Sequence, residues 1–241
     1  METKIQKGDF IEIEFTAKLK EGDIFDSNIK EDLEKLHAGH SHPINTKPLI
    51  FSIGNHMFVE GIDEYLIGKE VNKTYNIELS PEKAFGKRNP KLIKIIPLSA
   101  FKTQKYQPQP GMTFNFDGQM AKILSVSGGR IITDFNNPLA GKDVVYSVKV
   151  LRKVSDSNEK TKSLMDFLFR REFKFEIDKN KKSILITLPE KEKQFKEFLE
   201  LFKEKFKDIL DLELEVKVEE KKEVKSEKVK VEKENKKDEW V

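Results

Sequence analysis

The sequence predicts an α+β protein: a mostly antiparallel sheet wrapped on one short helix, an inserted small all-β domain, and a C-terminal α+β domain. Three observations lead to this class. Apolar and polar residues alternate in several short segments, one short stretch has apolar residues at helical spacing, and the hairpin dipeptides Asp117-Gly118 and Gly128-Gly129 separate the later alternating segments. Hairpins combined with a few isolated helices are typical of α+β folds.

The main sheet is predicted from segments with period-two alternation, which are residues 10–19, 49–53, 75–79 and 144–150. Between the second and third segments, Ile62 and Leu66 lie one helical turn apart and Gly68 suits a helix C-cap. We therefore expect a helix over residues 59–66, and a ligand site between the sheet and the end of this helix.

The remaining chain divides into an insert, a C-terminal domain and a tail. Strands of the insert are expected at residues 92–97, 113–116 and 121–134. A polar linker over 155–162 is expected to lead to strands near 173–177, 184–188 and 212–218 and to a helix over 190–210. The predicted main domain is discontinuous and comprises residues 1–86 and 134–153. The insert is predicted over residues 87–133, the C-terminal α+β domain over residues 154–220, and a charged, disordered tail over 221–241.

Charge and composition exclude several classes of function. The 45 basic residues nearly balance the 42 acidic ones, so the net charge is +3, and neither nucleic acid nor a membrane is expected as a partner. The absence of cysteine excludes disulfides and thiolate metal sites. Charged residues follow Met1 and no apolar run has membrane-spanning length, which predicts a cytoplasmic protein. The Lys and Glu content is typical of thermophiles.

Five motifs follow one another in a distinctive order: FTAKLKEGDIFDS at 15–27, PLIFSIG at 48–54, VEGIDEYLIG at 59–68, SPEKAFG at 80–86 and DFNNPLAGKDVVYSVKVL at 134–151. Together they resemble the FKBP family of peptidyl-prolyl cis-trans isomerases. The last motif resembles the SlyD-like branch, in which an insert-in-flap domain precedes the final strand. Residues 155–241 resemble the C-terminal extension of archaeal long-type members in position and general composition.

This resemblance implies an isomerase that assists folding, holds unfolded polypeptides as a chaperone, and needs no cofactor. Its partners would be unfolded or proline-containing polypeptides. The catalytic residues carried over from the family are Phe25, Asp26, Val59, Phe85 and Tyr146, and the substrate-binding residues are Phe15, Leu49, Phe58 and Ile62. The resemblance assigns the Val59 amide to a substrate carbonyl and Ile62 to the pocket floor.

An apolar pocket suits this chemistry, because rotation about a peptide bond loses conjugation at a cost of roughly 18–20 kcal/mol and requires no nucleophile. Phe15 and Phe85 stand where many relatives have tyrosine, and Ile62 where small eukaryotic members have tryptophan, so modest activity is expected. Two alternatives stay open: the aromatic residues only fill a core, or the pocket binds prolyl peptides without useful catalysis.

The insert carries a second set of candidate residues, expected to bind unfolded chains through a flexible apolar surface. They are Leu98, Phe101, Met112, Phe114, Phe116 and Met120. The alternative is that the same residues form the insert's own core.

Two further features support hypotheses about ligands and assembly. His37, His40 and His42 lie close together in a long loop and have the chemistry to bind zinc or nickel, although a fortuitous surface cluster is the preferred interpretation. The thin C-terminal domain suggests a homodimer through residues 154–220. RNA or ribosome binding by its Lys-rich part is disfavoured by the interleaved acidic residues.

Overall fold

The computed structural model describes residues 4–36, 46–104, 107–116 and 118–219. The chain divides into two compact units, with the boundary between Glu172 and Phe173. Each unit is described by itself below. None of the helices within the described ranges combines the length and the apolar character needed to cross a membrane.

The first unit contains a five-stranded antiparallel sheet. Its strands are β1 (Phe10–Leu19), β2 (Ile24–Ser27), β3 (Leu49–Ser52), β4 (Lys73–Leu79) and β9 (Val144–Val154). The strand order is β2-β1-β9-β4, and β3 pairs with the first half of β1. Alternation along β1 and β9 buries one face of each strand, as the period-two pattern predicts. The predicted α+β class is confirmed.

Three helices pack around this sheet: α1 (Lys30–Leu36), α2 (Glu60–Leu66) and α3 (Ser157–Phe169). The predicted helix corresponds to α2, whose Ile62 and Leu66 are fully buried, and Gly68 follows it in the left-handed conformation. No helix was expected at α1.

The linker predicted over residues 155–162 is wrong, because α3 begins within it. The carboxylate of Asp156 accepts a hydrogen bond from the Glu159 amide and caps the helix, and Leu164 and Met165 are fully buried. An Asp followed three residues later by a Glu is a capping-box spacing, so the polar residues belong to the first turn of a helix.

The insert forms its own antiparallel sheet. It consists of β5 (Ile93–Pro97), β6 (Thr113–Phe116), β7 (Gln119–Ser127) and β8 (Arg130–Asp134), in the order β5-β8-β7-β6. A 3₁₀ helix over Leu98–Gln104 lies next to β5 in the chain, and Ile96, Phe101, Ile123 and Ile131 form a separate buried core.

The second unit has a three-stranded mixed sheet, β10 (Lys174–Asp178), β11 (Ser183–Leu188) and β12 (Glu213–Val218), with β11 in the centre and parallel to β12. The single helix predicted over 190–210 is instead a 3₁₀ turn at Glu190–Glu192 followed by α4 (Phe195–Glu200) and α5 (Lys203–Leu210). The amide of Phe202 bonds the carbonyl of Leu199 three residues back, which tightens the backbone and interrupts the helix.

Candidate functional site

Six aromatic rings meet near the start of α2. They belong to Phe15, Phe25, Phe51, Phe58, Phe85 and Tyr146. Tyr146 of β9 lies in the middle, and its ring centroid is 6.1 Å from Phe15, 6.0 Å from Phe25 and 5.9 Å from Phe58. Tilted and edge-to-face contacts at these distances suit the quadrupoles of aromatic rings. We call these six side chains the ring cluster.

The backbone of β2 directs two neighbouring side chains toward the ring cluster. Asp26 pairs with Ala17 and Ile24 pairs with Lys18, so Phe25 is the extra residue of a β-bulge. Neighbouring residues of a regular strand point to opposite faces, whereas a bulge interrupts this alternation. Phe25 accordingly contacts the Phe85 ring at 5.7 Å, while Asp26 lines the adjoining cleft.

The backbone at Val59 presents a free donor. Val59 is the N-cap of α2 with φ −69° and ψ 126°, and its carbonyl accepts hydrogen bonds from the amides of Ile62 and Asp63. No acceptor for the Val59 N–H is found among the residues that the structure describes. Since an N-cap amide lies outside the helical ladder, this N–H is available to a ligand carbonyl.

A cleft of about 510 Å³ opens beside the ring cluster and is lined on one side by Phe15, Asp26, Leu49 and Phe58. Its volume lies in the range that holds a small-molecule or peptide ligand. Ile62 lies in the adjacent helix and is fully buried. The nine residues predicted for the pocket are thus found in the ring cluster, along the cleft, or at the start of α2.

Two ionisable groups lie at the ring cluster, the Asp26 carboxyl group and the Tyr146 phenol, while the charged side chains of Lys47, Glu159, Lys162, Asp166, Arg170 and Glu172 also line the cleft. Crowding by neighbouring atoms raises the pKa of Asp26, although the side chain keeps solvent access, and a hydrogen bond from the Ser27 backbone offsets part of this rise. Burial and the nearby Asp26 charge raise the pKa of the Tyr146 phenol above its usual range. Tyr146 is therefore a neutral hydroxyl at all ordinary pH values. The ring cluster, with this neutral phenol in its middle, suits an uncharged amide.

Three residues that support the site were missing from the predicted set. Phe51 joins the ring cluster because β3 pairs with β1. At Gly61 a Cβ atom would lie 2.5 Å from Leu79 Cδ2 and 2.8 Å from the Lys83 carbonyl oxygen, so only glycine permits this approach of α2. A glycine within a helical pattern is a signal for such close packing.

Asp63 is the third of these residues and is only 3% exposed. Its Oδ2 accepts a hydrogen bond from the Gly54 amide at 3.1 Å, and this bond stabilises the turn that leads to Phe58, while Oδ1 has no partner within the described part of the chain. Burial raises the pKa of Asp63 to about 6, and the backbone at Gly54 and His56 offsets part of the rise. No sequence pattern indicates a buried carboxyl group in an amphipathic helix.

The insert residues predicted as a chaperone surface lie in two different environments. Phe101 is 5% exposed and belongs to the buried core, and Leu98, Phe114 and Phe116 pack against that core. These four residues therefore form or contact the insert's own core, which was the alternative interpretation of the sequence. Met112 and Met120 are exposed, and Met120 is 60% exposed.

The predicted histidine site cannot be compared with the structure, because His37, His40 and His42 lie outside the described residues. Within the described ranges, no group of three or more His, Asp or Glu side chains is arranged to hold a metal ion.

Two family models and several known proteins match this chain. A family model for FKBP-type peptidyl-prolyl cis-trans isomerase matches residues 1–106, and one for FKBP26, IF domain matches residues 94–139. The short-type peptidyl-prolyl cis-trans isomerase of Methanocaldococcus jannaschii is 33% identical over 146 residues, which cover 61% of this chain and 92% of the relative. The FKBP-type 16 kDa peptidyl-prolyl cis-trans isomerase of Escherichia coli is 29% identical over 156 residues, 63% of this chain and 95% of the relative. The FKBP-type peptidyl-prolyl cis-trans isomerase SlyD of Vibrio cholerae is 24% identical over 153 residues, 61% of this chain and 68% of the relative.

Proposed function

Because the chain belongs to the FKBP-type peptidyl-prolyl cis-trans isomerase family, we propose that it isomerises prolyl bonds at the ring cluster and holds unfolded polypeptides on the neighbouring insert. The chain is a peptidyl-prolyl cis-trans isomerase, and its substrates are proline-containing polypeptides. The location of catalysis and the chaperone activity are the parts that we propose.

Our proposal for catalysis rests on the unpaired Val59 N–H beside an apolar, aromatic pocket. Water favours the planar, more dipolar amide, so removing the prolyl bond from water favours the twisted state. The Val59 N–H would donate to the substrate carbonyl, with Phe25, Phe85 and Tyr146 as walls and Asp26 as the polar edge. Interactions that are stronger in the twisted state than in the planar state accelerate the reaction.

A single substitution tests the role of the Val59 amide. The φ of −69° at Val59 already equals that of proline, so Val59→Pro removes the N–H without demanding a new φ. We expect kcat/KM to fall about tenfold or more in a prolyl-peptide assay, whereas the control Val59→Ala, which keeps the amide, should change it by less than about threefold. If folded Val59→Pro and Val59→Ala are equally active, the Val59 N–H is not the donor to the substrate carbonyl.

For client binding we propose a surface on the outer face of the insert sheet. Ile96 and Ile131 pair across β5 and β8 and are buried, so their neighbours Ile95 and Ile132, which also pair, point outward. Ile95 is 64% exposed, and Leu124, at a bulge beside Ile132, is exposed as well. Contiguous exposed apolar residues on a soluble domain are typical of interaction sites.

We name Ile95, Leu124 and Ile132 the outer patch; Met112 and Met120 of the predicted set extend the exposed apolar surface of the insert. Flexible methionine side chains adapt to many partners, as a surface that holds diverse unfolded chains requires.

Replacing the outer patch tests this proposal. We expect the triple change Ile95→Ser, Leu124→Ser and Ile132→Ser to raise, by about threefold or more, the concentration needed to suppress aggregation of a denatured protein, since each lost apolar contact is worth about 1 kcal/mol. Activity on a short prolyl peptide should be unchanged. Lys122→Ser with Arg130→Ser, also exposed on the insert sheet, is the control. Unaltered suppression by a folded triple variant would refute the outer patch.

The second unit has features that support a proposal about assembly. Its sheet has β10 and β12 at the edges, and Leu201 is 78% exposed. Within the expected interface over residues 154–220, we propose that the homodimer contact lies in the second-unit part, residues 173–220, and we propose a cytoplasmic location for the protein. In a sedimentation experiment the wild type should be a dimer and Leu201→Glu a monomer. If the variant is still a dimer, the interface does not include Leu201. Cell fractionation tests the location.

A further inference from the structure

The cleft beside the ring cluster has a second wall, formed by helix α3. Besides Phe15, Leu49 and Phe58, the cleft is lined by residues of this helix and of the segment that follows it: Glu159, Lys162, Ser163, Asp166, Phe167 and Arg170. All of these residues belong to the first compact unit. The ring of a proline, with three side-chain carbons, fills only a part of such a cleft.

Helix α3 is held firmly against the sheet. The Ser163 hydroxyl donates to the Ile50 carbonyl at 2.5 Å, which ties the middle of the helix to β3. The Arg152 guanidinium donates to both carboxylate oxygens of Glu159, at 3.0 and 3.1 Å, and to Glu12 on β1 at 2.5 Å. Planar two-point bonds of this kind fix orientation as well as position. The wall is therefore formed before any ligand arrives, which lowers the entropic cost of binding.

The chemistry of the wall fits an extended polypeptide with an apolar side chain near its proline. Phe167 is 37% exposed and supplies an aromatic surface to the same cleft that Leu49 and Ile50 line. Lys162 and Asp166, one turn apart on the helix, provide a donor and an acceptor beside it. Apolar contacts with one or two convergent polar groups are typical of sites that orient a ligand.

We propose that α3 is the second wall of the substrate cleft and that Phe167 selects apolar side chains of the peptide beyond the residues that flank the isomerised bond. This inference rests on the proposed catalytic pocket, because the occupant of the wall is the continuation of the peptide bound there. One extended residue spans about 3.5 Å, so a longer peptide extends further along the cleft than a minimal one and is the one expected to contact the wall. Substrate length is therefore the variable that isolates the wall.

The experiment uses the full chain and two peptides with the same prolyl bond: a tetrapeptide, and a dodecapeptide that extends this tetrapeptide at both ends with leucine-containing segments. Exchange between the cis and trans forms is measured by NMR, which needs no coupled protease. For Phe167→Ala we expect kcat/KM on the dodecapeptide to fall about three- to tenfold, and on the tetrapeptide to change less than twofold. Phe167→Leu, which keeps an apolar side chain, should retain most of the dodecapeptide activity. Phe198→Ala, an exposed phenylalanine of the second unit, is the matched control.

Two results would overturn the proposal: no loss on the dodecapeptide, or an equal loss on both peptides, which would mean that Phe167 only supports the fold. Should Phe167→Ala fail to fold, Lys162→Glu serves instead. This variant should lower kcat/KM on a dodecapeptide with glutamates near the proline and raise kcat/KM on one with lysines. An unchanged ratio of the two values would refute the proposal that α3 contacts the peptide.

Failure of the catalytic pocket is distinguished by Val59→Pro, which should lower turnover of both peptides. If the wild type isomerises neither peptide, binding of the dodecapeptide is measured by calorimetry instead. Weaker dodecapeptide binding by Phe167→Ala supports the wall, and equal binding refutes it.

Discussion

The buried carboxyl group of Asp63 makes the stability of the first unit depend on pH in an unusual direction. Its pKa is about 6 in the folded chain and 3.8 as the reference for the unfolded chain. A raised folded pKa means that the protonated form is favoured by folding, so the contribution of Asp63 to stability is fully present below about pH 4 and is lost as the pH rises through 6.

The magnitude follows from the two pKa values. At about 1.36 kcal/mol for each pKa unit, ionisation of Asp63 costs about 1.6 kcal/mol at pH 5.0 and about 3 kcal/mol at pH 7.5. The free energy of unfolding of the wild type should therefore fall by about 1.4 kcal/mol between these pH values relative to Asp63→Asn, which cannot ionise. In Asp63→Asn the side-chain amide nitrogen would take the unpaired position of Oδ1, which costs about 1–3 kcal/mol at every pH. The test is therefore how the free energy of unfolding changes with pH, and not the constant difference between the two proteins.

Urea unfolding at pH 5.0, 6.0 and 7.5 measures this slope. All four tyrosines precede residue 172, so tyrosine fluorescence in a Trp240→Phe background reports the first unit alone. Asp32→Asn is the control, because the hydroxyl of Thr16 lowers the pKa of Asp32 and this group is ionised throughout the range. Parallel curves for the wild type and Asp63→Asn would refute the reasoning.

Two further predictions concern the pocket. Gly61→Ala should lower the free energy of unfolding by about 1–2 kcal/mol, because overpacking against Leu79 and the Lys83 carbonyl outweighs the gain in helix propensity of roughly 0.5–1 kcal/mol; urea unfolding measures it, and a stabilised variant would contradict the close approach. Tyr146→Phe should keep the ring contacts and lower kcat/KM about two- to tenfold by removing a neutral hydroxyl next to Asp26; unchanged kcat/KM would show that this hydroxyl does not contact the substrate.

Features that depend on neighbouring residues were predicted well. The strand Phe10–Leu19 has the predicted bounds because its alternation lies within ten consecutive residues. Helix α2 and the three predicted strand segments of the insert follow from equally local signals, and the structure divides the third segment, 121–134, into β7 and β8. The family was identified from short motifs, and the comparisons confirm it.

Features for which the local pattern leaves the buried face ambiguous were not predicted. The pair Ile95 and Ile96, like Ile131 and Ile132, has apolar residues on both faces, so alternation cannot show which face is covered. The predicted chaperone residue Phe101 consequently lies in a core, and the exposed apolar face lies on the other side of the sheet. Polar residues at the start of α3 were interpreted as a linker for a similar reason, since capping groups and loop residues have the same composition.

Spacing and motif are properties of adjacent positions, and they predicted most of the strands, helix α2, the family and most of the residues around the ring cluster. Only the tertiary structure showed the bulge that turns Phe25 and Asp26 to the same pocket, the burial of Asp63, and the second wall at α3. Each of these results from contacts between distant parts of the chain, where the free energy of burial, and not local propensity, selects the arrangement.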